Sequence, residues 1–153
     1  MLEFQIFISQ IAGVKVMFIV TLLLLVVLYC LKQKKDFYKI LFIIISAMFV
    51  TYTLKYILQV PRLETILIPE NDFRFPSGHA TMAAVVMSLV IYYAHKKVRN
   101  VYLRYFLYAL GISWLVLVSY SRIYLNAHIL IDVTVGALVG IGATFLGVRI
   151  FSK

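Results

Sequence analysis

Apolar residues recur along the chain in long runs, separated by short gaps where lysines, arginines and acids gather. A helix that crosses a bilayer needs about 17 to 25 mostly apolar residues, and the runs approach or meet that length. Five stand out: Val14 to Leu31, Ile40 to Leu58, Gly78 to Ala94, Tyr105 to Ser119 and His128 to Ile150. The fourth is short, and Val101 to Leu103 is expected to extend it. Ahead of them, Met1 to Ala12 sets Leu2, Phe4, Ile6, Phe7, Ile8 and Ile11 among Glu3, Gln5, Ser9 and Gln10. That segment is expected to lie in the interface, to lengthen the first span or to add a sixth. The pattern predicts one domain over residues 1–153, an all-α, polytopic transmembrane helical bundle of about five spans.

Composition supports this reading. Hydrophobic residues make up 63% of the chain and charged residues 14%, against roughly a quarter charged in an average soluble domain. Spans and short gaps leave no room for a soluble domain. The net charge of +9 does not point to nucleic acid, because the basic residues lie in short runs beside apolar segments and not on an aromatic-studded polar face. Met1 to Gly13 lacks the basic start and small-residue cleavage site of a signal peptide, and Val27-Leu28-Tyr29 makes a poor lipoprotein signal before Cys30, so the first apolar segment is expected to stay. Cys30, the single cysteine, forms no internal disulfide and is read as a packing residue.

The basic gaps give an orientation. Lys32, Lys34, Lys35 and Lys39 form one group, Lys96, Lys97, Arg99 and Arg104 a second, and Arg149 and Lys153 a third. With five spans all three fall on one side, which the positive-inside rule assigns to the cytoplasm. The expectation is a multi-pass protein of the cytoplasmic (inner) membrane with its N-terminus outside. Gly136, Gly140, Gly142 and Gly147 include a GxxxG pair, expected to serve close packing inside the bundle more than a dimer interface. The pattern assigns no oligomeric state.

The opposite side, periplasmic or exterior, collects Lys55, Arg62, Ser77, His79, Arg122, His128 and Asp132. If the last helix starts near His128, Asp132 lies one turn further on the same face, where its carboxylate can fix the imidazole tautomer and expose the other ring nitrogen for attack. An ionisable group within an apolar helix costs roughly 2.5 to 3.5 kcal/mol and usually marks function. A structural His–Asp pair would explain those two residues alone. Lys55, Arg62 and Arg122, however, add three positive charges on the same face, and such a trio suits a phosphate monoester or diphosphate. In Pro76-Ser77-Gly78-His79, Gly78 lets backbone N–H groups approach a ligand and Ser77 can donate its hydroxyl, where a helix N-terminus favours an anion. His79 can then protonate the leaving alkoxide and take a proton from the attacking water.

Lys55-x6-Arg62, Pro76-Ser77-Gly78-His79 and Ser121-Arg122-x5-His128-x3-Asp132 resemble, in order and internal spacing, the three signature motifs of the type 2 phosphatidic acid phosphatase (PAP2) superfamily, whose pocket vanadium haloperoxidases share. The match covers about half the chain, and three joint motifs are far more specific than a single glycine motif. The resemblance implies a PAP2/haloperoxidase-like core and phosphate-ester hydrolysis through a phosphohistidine, with no metal and no cofactor. It implies His128 as nucleophile, Asp132 as its orienter and His79 as acid and then base. Lys55, Arg62, Ser77, Gly78, Ser121 and Arg122 would hold the phosphoryl group. The family usually has proline after its first arginine; here Leu63 follows Arg62 and Pro61 precedes it.

The implied partner is a membrane lipid bearing a phosphate or diphosphate headgroup: phosphatidylglycerol phosphate, phosphatidic acid, undecaprenyl diphosphate or lipid A 1-phosphate. A non-catalytic lipid-phosphate binder or transporter would need the cations but neither histidine nor Asp132. Burial in a membrane argues against a vanadate-dependent peroxidase. His95, beside Lys96 and Lys97, is expected to be solvated. So are Glu64, Glu70, Asp72 and Arg74 in the outer loop, with Arg74 the foremost exception. Tyr92, Tyr93, Tyr102, Tyr105 and Tyr108 fit an aromatic belt, and Tyr120 and Tyr124, which flank Arg122, are read as belt residues ahead of the alternative that they line a substrate entrance.

Overall fold

The structure, a computed structural model, describes residues 1–151, except for the side chains of Val14, Lys15, Phe18, Thr21, Leu24 and Leu28. Lys153, grouped above with Arg149, lies outside the described residues. Among those residues there are six helices and no strand: α1 (Leu2–Ile11), α2 (Val14–Cys30), α3 (Lys34–Leu58), α4 (Gly78–Lys97), α5 (Val101–Tyr124) and α6 (Leu130–Phe151). Among the described helices, α3, α5 and α6 are long and apolar enough to cross a membrane. Large apolar side chains such as Leu23, Phe49, Phe106, Val116, Leu138 and Phe145 are exposed, as a lipid-facing surface requires.

The sequence places the elements well and their ends less well. α1 is a separate helix, broken from α2 at Ala12 and Gly13. At 10 residues it rises about 15 Å, half of the roughly 30 Å hydrocarbon core, so it does not add a sixth span. It lies against α5, where Ile8 and Ala12 pack with Val118 beside Trp114. α3 begins at Lys34, six residues before the expected Ile40, because its polar first turns are internally paired. Lys39, expected in a loop, is only 2% exposed; it donates to Asp36 at 2.7 Å and lies over the ring of Tyr92 at 5.1 Å. α5 runs on past Ser119 to Tyr124 and carries Ser121 and Arg122 on its last turns. α6 starts at Leu130, leaving His128 in the preceding loop. Cys30, read as packing, is exposed at the end of α2.

Stop signals explain the termini that matter for the site. α3 ends where Gln59 takes a left-handed conformation (φ 46°) and Pro61 follows, which cannot continue a helix. The α4 N-cap is Ser77, whose side chain accepts from Ala80 N, a common way to satisfy an orphan N–H of the first turn.

α4 is the central helix, in contact with α2, α3, α5 and α6. Its inward face is built of small residues, Ala80, Thr81, Ala83 and Ala84, all buried. Gly136 and Gly140 of α6 lie against Ala80, Thr81 and Ala84, while Ala83 faces Ile8, Ala12 and Val118: a Cβ on Gly136 would collide with the Ser77 carbonyl and one on Gly140 with the Thr81 carbonyl. The GxxxG pair is thus used inside the bundle, and it brings the N-terminal ends of α4 and α6 together, where Ser77 N donates to Asp132 O at 3.0 Å. Replacing Gly140 by Val is expected to lower the thermal midpoint in detergent, an overpacking loss of about 1–3 kcal/mol. Gly142→Ala is expected to leave the midpoint unchanged or raise it, since an added Cβ there meets nothing within 4 Å. Equal midpoints for both variants would contradict the close α4–α6 approach.

Candidate active site

The C-terminal ends of α1, α3 and α5 and the N-terminal ends of α4 and α6 meet at one end of the bundle, with the loops 59–77 and 125–129 over them. Of the nine residues expected to form a site, Lys55, Arg62, Arg122, His128 and Asp132 are linked by ion pairs, hydrogen bonds or shared partners. His79, in the first turn of α4, lies within electrostatic reach of Arg122, His128 and Arg62.

His128 is buried. Its loop is folded back on the end of α5, with Ala127 N and His128 N both donating to the Arg122 carbonyl at 3.1 and 3.2 Å. Asn126, with φ 51°, supplies the turn that allows this, a conformation asparagine tolerates better than most residues. His128 Nε2 lies 3.3 Å from Arg62 Nη1. A guanidinium has only donors, so Nε2 must present its lone pair there, and the ring proton belongs on Nδ1. Nδ1 in turn faces Asp132 Oδ2 at 3.5 Å, a separation that leaves the His–Asp bond to tighten. Burial, followed by the charges of Arg122, Arg62 and Lys55, pushes the His128 pKa down to about 4, although Asp132 pulls the other way. The ring is therefore neutral near pH 7, with a nucleophilic nitrogen among cations.

Asp132 Oδ2 also accepts from Ile129 N at 3.0 Å and lies 3.1 Å from Arg74 Nε. Arg74 is thus the exception among the loop charges that the sequence allowed for. Ser77 and Gly78 are buried at the start of α4, where an added Cβ on Gly78 would meet nothing within 4 Å, leaving open space by the first turn. Ser121 is buried on the last turns of α5, and its hydroxyl donates to Val118 O at 2.8 Å.

Glu70 and Asp72, expected to be solvated, are instead drawn into the cationic cluster. Glu70 bridges Arg62 (3.1 Å) and Arg122. Asp72 bridges Lys55 (3.0 Å) and Arg62. Burial works to raise the Asp72 pKa, but Lys55 and Arg62 outweigh it and hold the carboxyl below its ordinary range. The physical reason is simple: three buried or nearly buried cations need counter-charges, and the nearest carboxylates supply them. Glu64 stays exposed, as expected. His95 is exposed with Nδ1 at 3.1 Å from Tyr108 Oη. The rings of Tyr120 and Tyr124, on the last turns of α5, lie with centroids 6.1 Å apart and are tilted by 41°.

Sequence reasoning also passed over Ser9. Its hydroxyl meets Arg122 Nη1, so α1 reaches into the site. The available signal was Gln5 and Ser9, four apart on an apolar helix and both buried, a polar stripe that such a helix keeps only when it has partners.

The geometry predicts that ¹⁵N spectra of labelled His128 near pH 7 show the neutral, Nδ1-protonated ring. Asp132→Asn is expected to shift the ring toward a tautomer mixture. A dominant Nε2–H form in the unsubstituted protein would contradict the arrangement.

A family model described as the PAP2 superfamily matches residues 36–153. The chain is 35% identical over 82 residues to an undecaprenyl-diphosphatase of Sulfolobus acidocaldarius, covering 54% of this chain and 35% of that protein. It is 35% identical over 89 residues to phosphatidylglycerophosphatase B of Bacillus subtilis, covering 52% of this chain and 40% of that one. The matched stretch thus spans well under half the length of these curated relatives. Among solved structures, a transmembrane PAP2-type phosphatidylglycerolphosphate phosphatase from Bacillus subtilis superposes with a TM-score of 0.86 at 23% identity, covering 99% of this chain and 77% of that one. Aquifex aeolicus LpxE superposes with a TM-score of 0.74 at 24% identity, covering 97% and 85%. At these identities the two structures establish the fold.

Proposed function

The chain belongs to the PAP2 superfamily, and from that premise we propose that it is an integral-membrane lipid phosphatase that removes a terminal phosphate from a lipid monoester or diphosphate. The observation that carries the proposal is the placement of His128, whose Nε2 lone pair stands 3.3 Å from the Arg62 guanidinium while Nδ1 faces a buried carboxylate. A protein that only bound phosphate would need the cations but not this oriented imidazole.

In the proposed reaction Lys55, Arg62 and Arg122 hold the non-bridging oxygens of the phosphoryl group, assisted by Ser77 and the first N–H groups of α4 at Gly78. His128 Nε2 attacks phosphorus, the bond to the lipid oxygen breaks, and His79 delivers a proton to that oxygen. Asp132 stabilises the positive charge gained by the His128 ring. Water then attacks the phosphohistidine, His79 accepts its proton, and the P–N bond breaks to release inorganic phosphate. The three cations neutralise the charge that a metal ion would otherwise meet. Ser121, whose hydroxyl donates to Val118 O, joins Ser77 and Gly78 at the phosphoryl oxygens by rotating that hydroxyl away from its helix.

The protein is proposed to cross the membrane five times, α2 to α6, with α1 in the interface and the site at the outer face. The basic groups around Lys32–Lys35, Lys96–Arg104 and Arg149 lie at the other end, which the positive-inside rule assigns to the cytoplasm. A lipid then presents its headgroup to the site while its tails stay in the bilayer. The substrates to test are phosphatidylglycerol phosphate, phosphatidic acid, undecaprenyl diphosphate and lipid A 1-phosphate; the names of the relatives bear on the first and third.

Purified protein in detergent with EDTA present is expected to release phosphate from at least one of these lipids. His128→Ala is expected to lower release by about 10³-fold or more and His79→Ala by about 10²- to 10⁴-fold, with both variants folded. Release that persists in His128→Ala sinks the nucleophile assignment. No release from any lipid by folded protein moves the weight to lipid-phosphate binding or transport.

A further inference from the structure

We propose that Glu70 and Asp72 act as a built-in stand-in for the phosphoryl group, so that every anion entering the site must displace them. Only the sites from which the two acids have moved aside are then open to a ligand. The inference rests on the reading of the cationic cluster as a phosphoryl seat.

The geometry has the form of a competitor. Two carboxylates span three cations, each bridging a pair, and Arg62 is shared by both. The cations are deep: their side chains are 4%, 13% and 0% exposed for Lys55, Arg62 and Arg122, against 19% for Glu70 and 39% for Asp72. The acids therefore lie on the solvent side of the charges they neutralise and can leave without crossing the core. The loop is pinned on either side of them. Leu67 N donates to Leu125 O at 3.0 Å and Arg74 N to Val60 O at 2.9 Å; between these anchors Arg62 Nε also holds the Asp72 carbonyl at 2.9 Å and Lys55 Nζ the Phe73 carbonyl, so the cations themselves hold the short stretch and an entering anion competes for the same donors.

The incoming group must match what it displaces. A terminal phosphate carries about −1.5 to −2 charge near pH 7 and three strong acceptor oxygens, close to the charge of the two carboxylates. A phosphodiester carries a single charge and two such oxygens, and cannot replace both acids. Occupation of the seat by the loop weakens the apparent affinity of all anions by the same factor, the reciprocal of the fraction of open sites.

The test is titration of detergent-solubilised protein with inorganic phosphate and with dimethyl phosphate, by calorimetry or thermal shift. The double variant Glu70→Gln/Asp72→Asn is expected to bind both anions about tenfold more tightly than the unsubstituted protein, and each single variant by an intermediate factor. Glu64→Gln, an equal charge change in the same loop, is expected to bind them as the unsubstituted protein does. Unchanged or weaker binding in the double variant overturns the proposal and makes the two acids supports that hold Arg62 and Arg122 in place. If neither protein binds phosphate, the phosphoryl-seat reading falls with it. A second measurement avoids the acids altogether. A spin label on Asn71→Cys, in a Cys30→Ser background, is expected to gain mobility when phosphate is added; a label that stays fixed at saturating phosphate overturns the displacement.

Discussion

Lys55, Arg62 and Arg122, brought together at one end of an apolar bundle, are the constraint on which the rest of the structure turns. Buried positive charges repel one another and persist only where partners meet them. Around these three every nearby polar group is organised: Glu70 and Asp72 bridge them, Ser9 meets Arg122 from α1, and the Ala127 carbonyl accepts from Arg62 Nη1 at 2.8 Å. The Arg122 carbonyl holds the loop carrying His128, so the residue that supplies charge also places the imidazole. A site of this kind cannot relax into a neutral core. It favours an anion from whatever source, and the proposed function makes that anion a phosphoryl group.

Holding that charge requires helices that do not slide. The α4–α6 contact provides this through the absence of side chains, with Gly136 and Gly140 letting the backbone of one helix ride on the small face of the other. The resulting register puts Ser77 N on the Asp132 carbonyl and brings the two N-terminal ends to the same level. Far from the site, Asp36 gathers Lys39 and Tyr93 at 2.7 and 2.9 Å, tying α3 to α4 near the opposite face. The bundle is thereby fixed at both ends, by glycine contact at one and by a buried polar cluster at the other.

Much of this was legible in the sequence, because a bilayer enforces long apolar runs and because phosphate chemistry demands a narrow set of residues at fixed spacing. The five long helices fell where the runs lay, and Lys55, Arg62, Arg122, His128 and Asp132 met as their motifs implied. What the pattern could not give was the pairing of charges across loops. Glu70 and Asp72 look like solvated loop acids until the fold sets them 3.1 and 3.0 Å from Arg62 and Lys55. Lys39 reads as a loop lysine until Asp36 and two tyrosine rings enclose it. Ser121 occupies a motif position, yet its hydroxyl turns to its own helix, a choice of rotamer that no spacing rule contains. Ser9 stood outside every motif; its spacing from Gln5 put two polar groups on one face of an apolar helix, and the packing of α1 on α5 shows what that face meets.

The contact between Ser9 and Arg122 gives the short first helix a standing that its length would not suggest. α1 does not cross the membrane, yet it closes one side of the charged cluster, and the break at Ala12 and Gly13 lets it lie against α5 independently of the span that follows. The chain's first ten or so residues are consequently part of the enclosure of the charged cluster. An affinity handle, fusion partner or shortened start at that end acts on the helix whose Ser9 meets a buried guanidinium, so a change made outside every motif reaches the cluster from its far side.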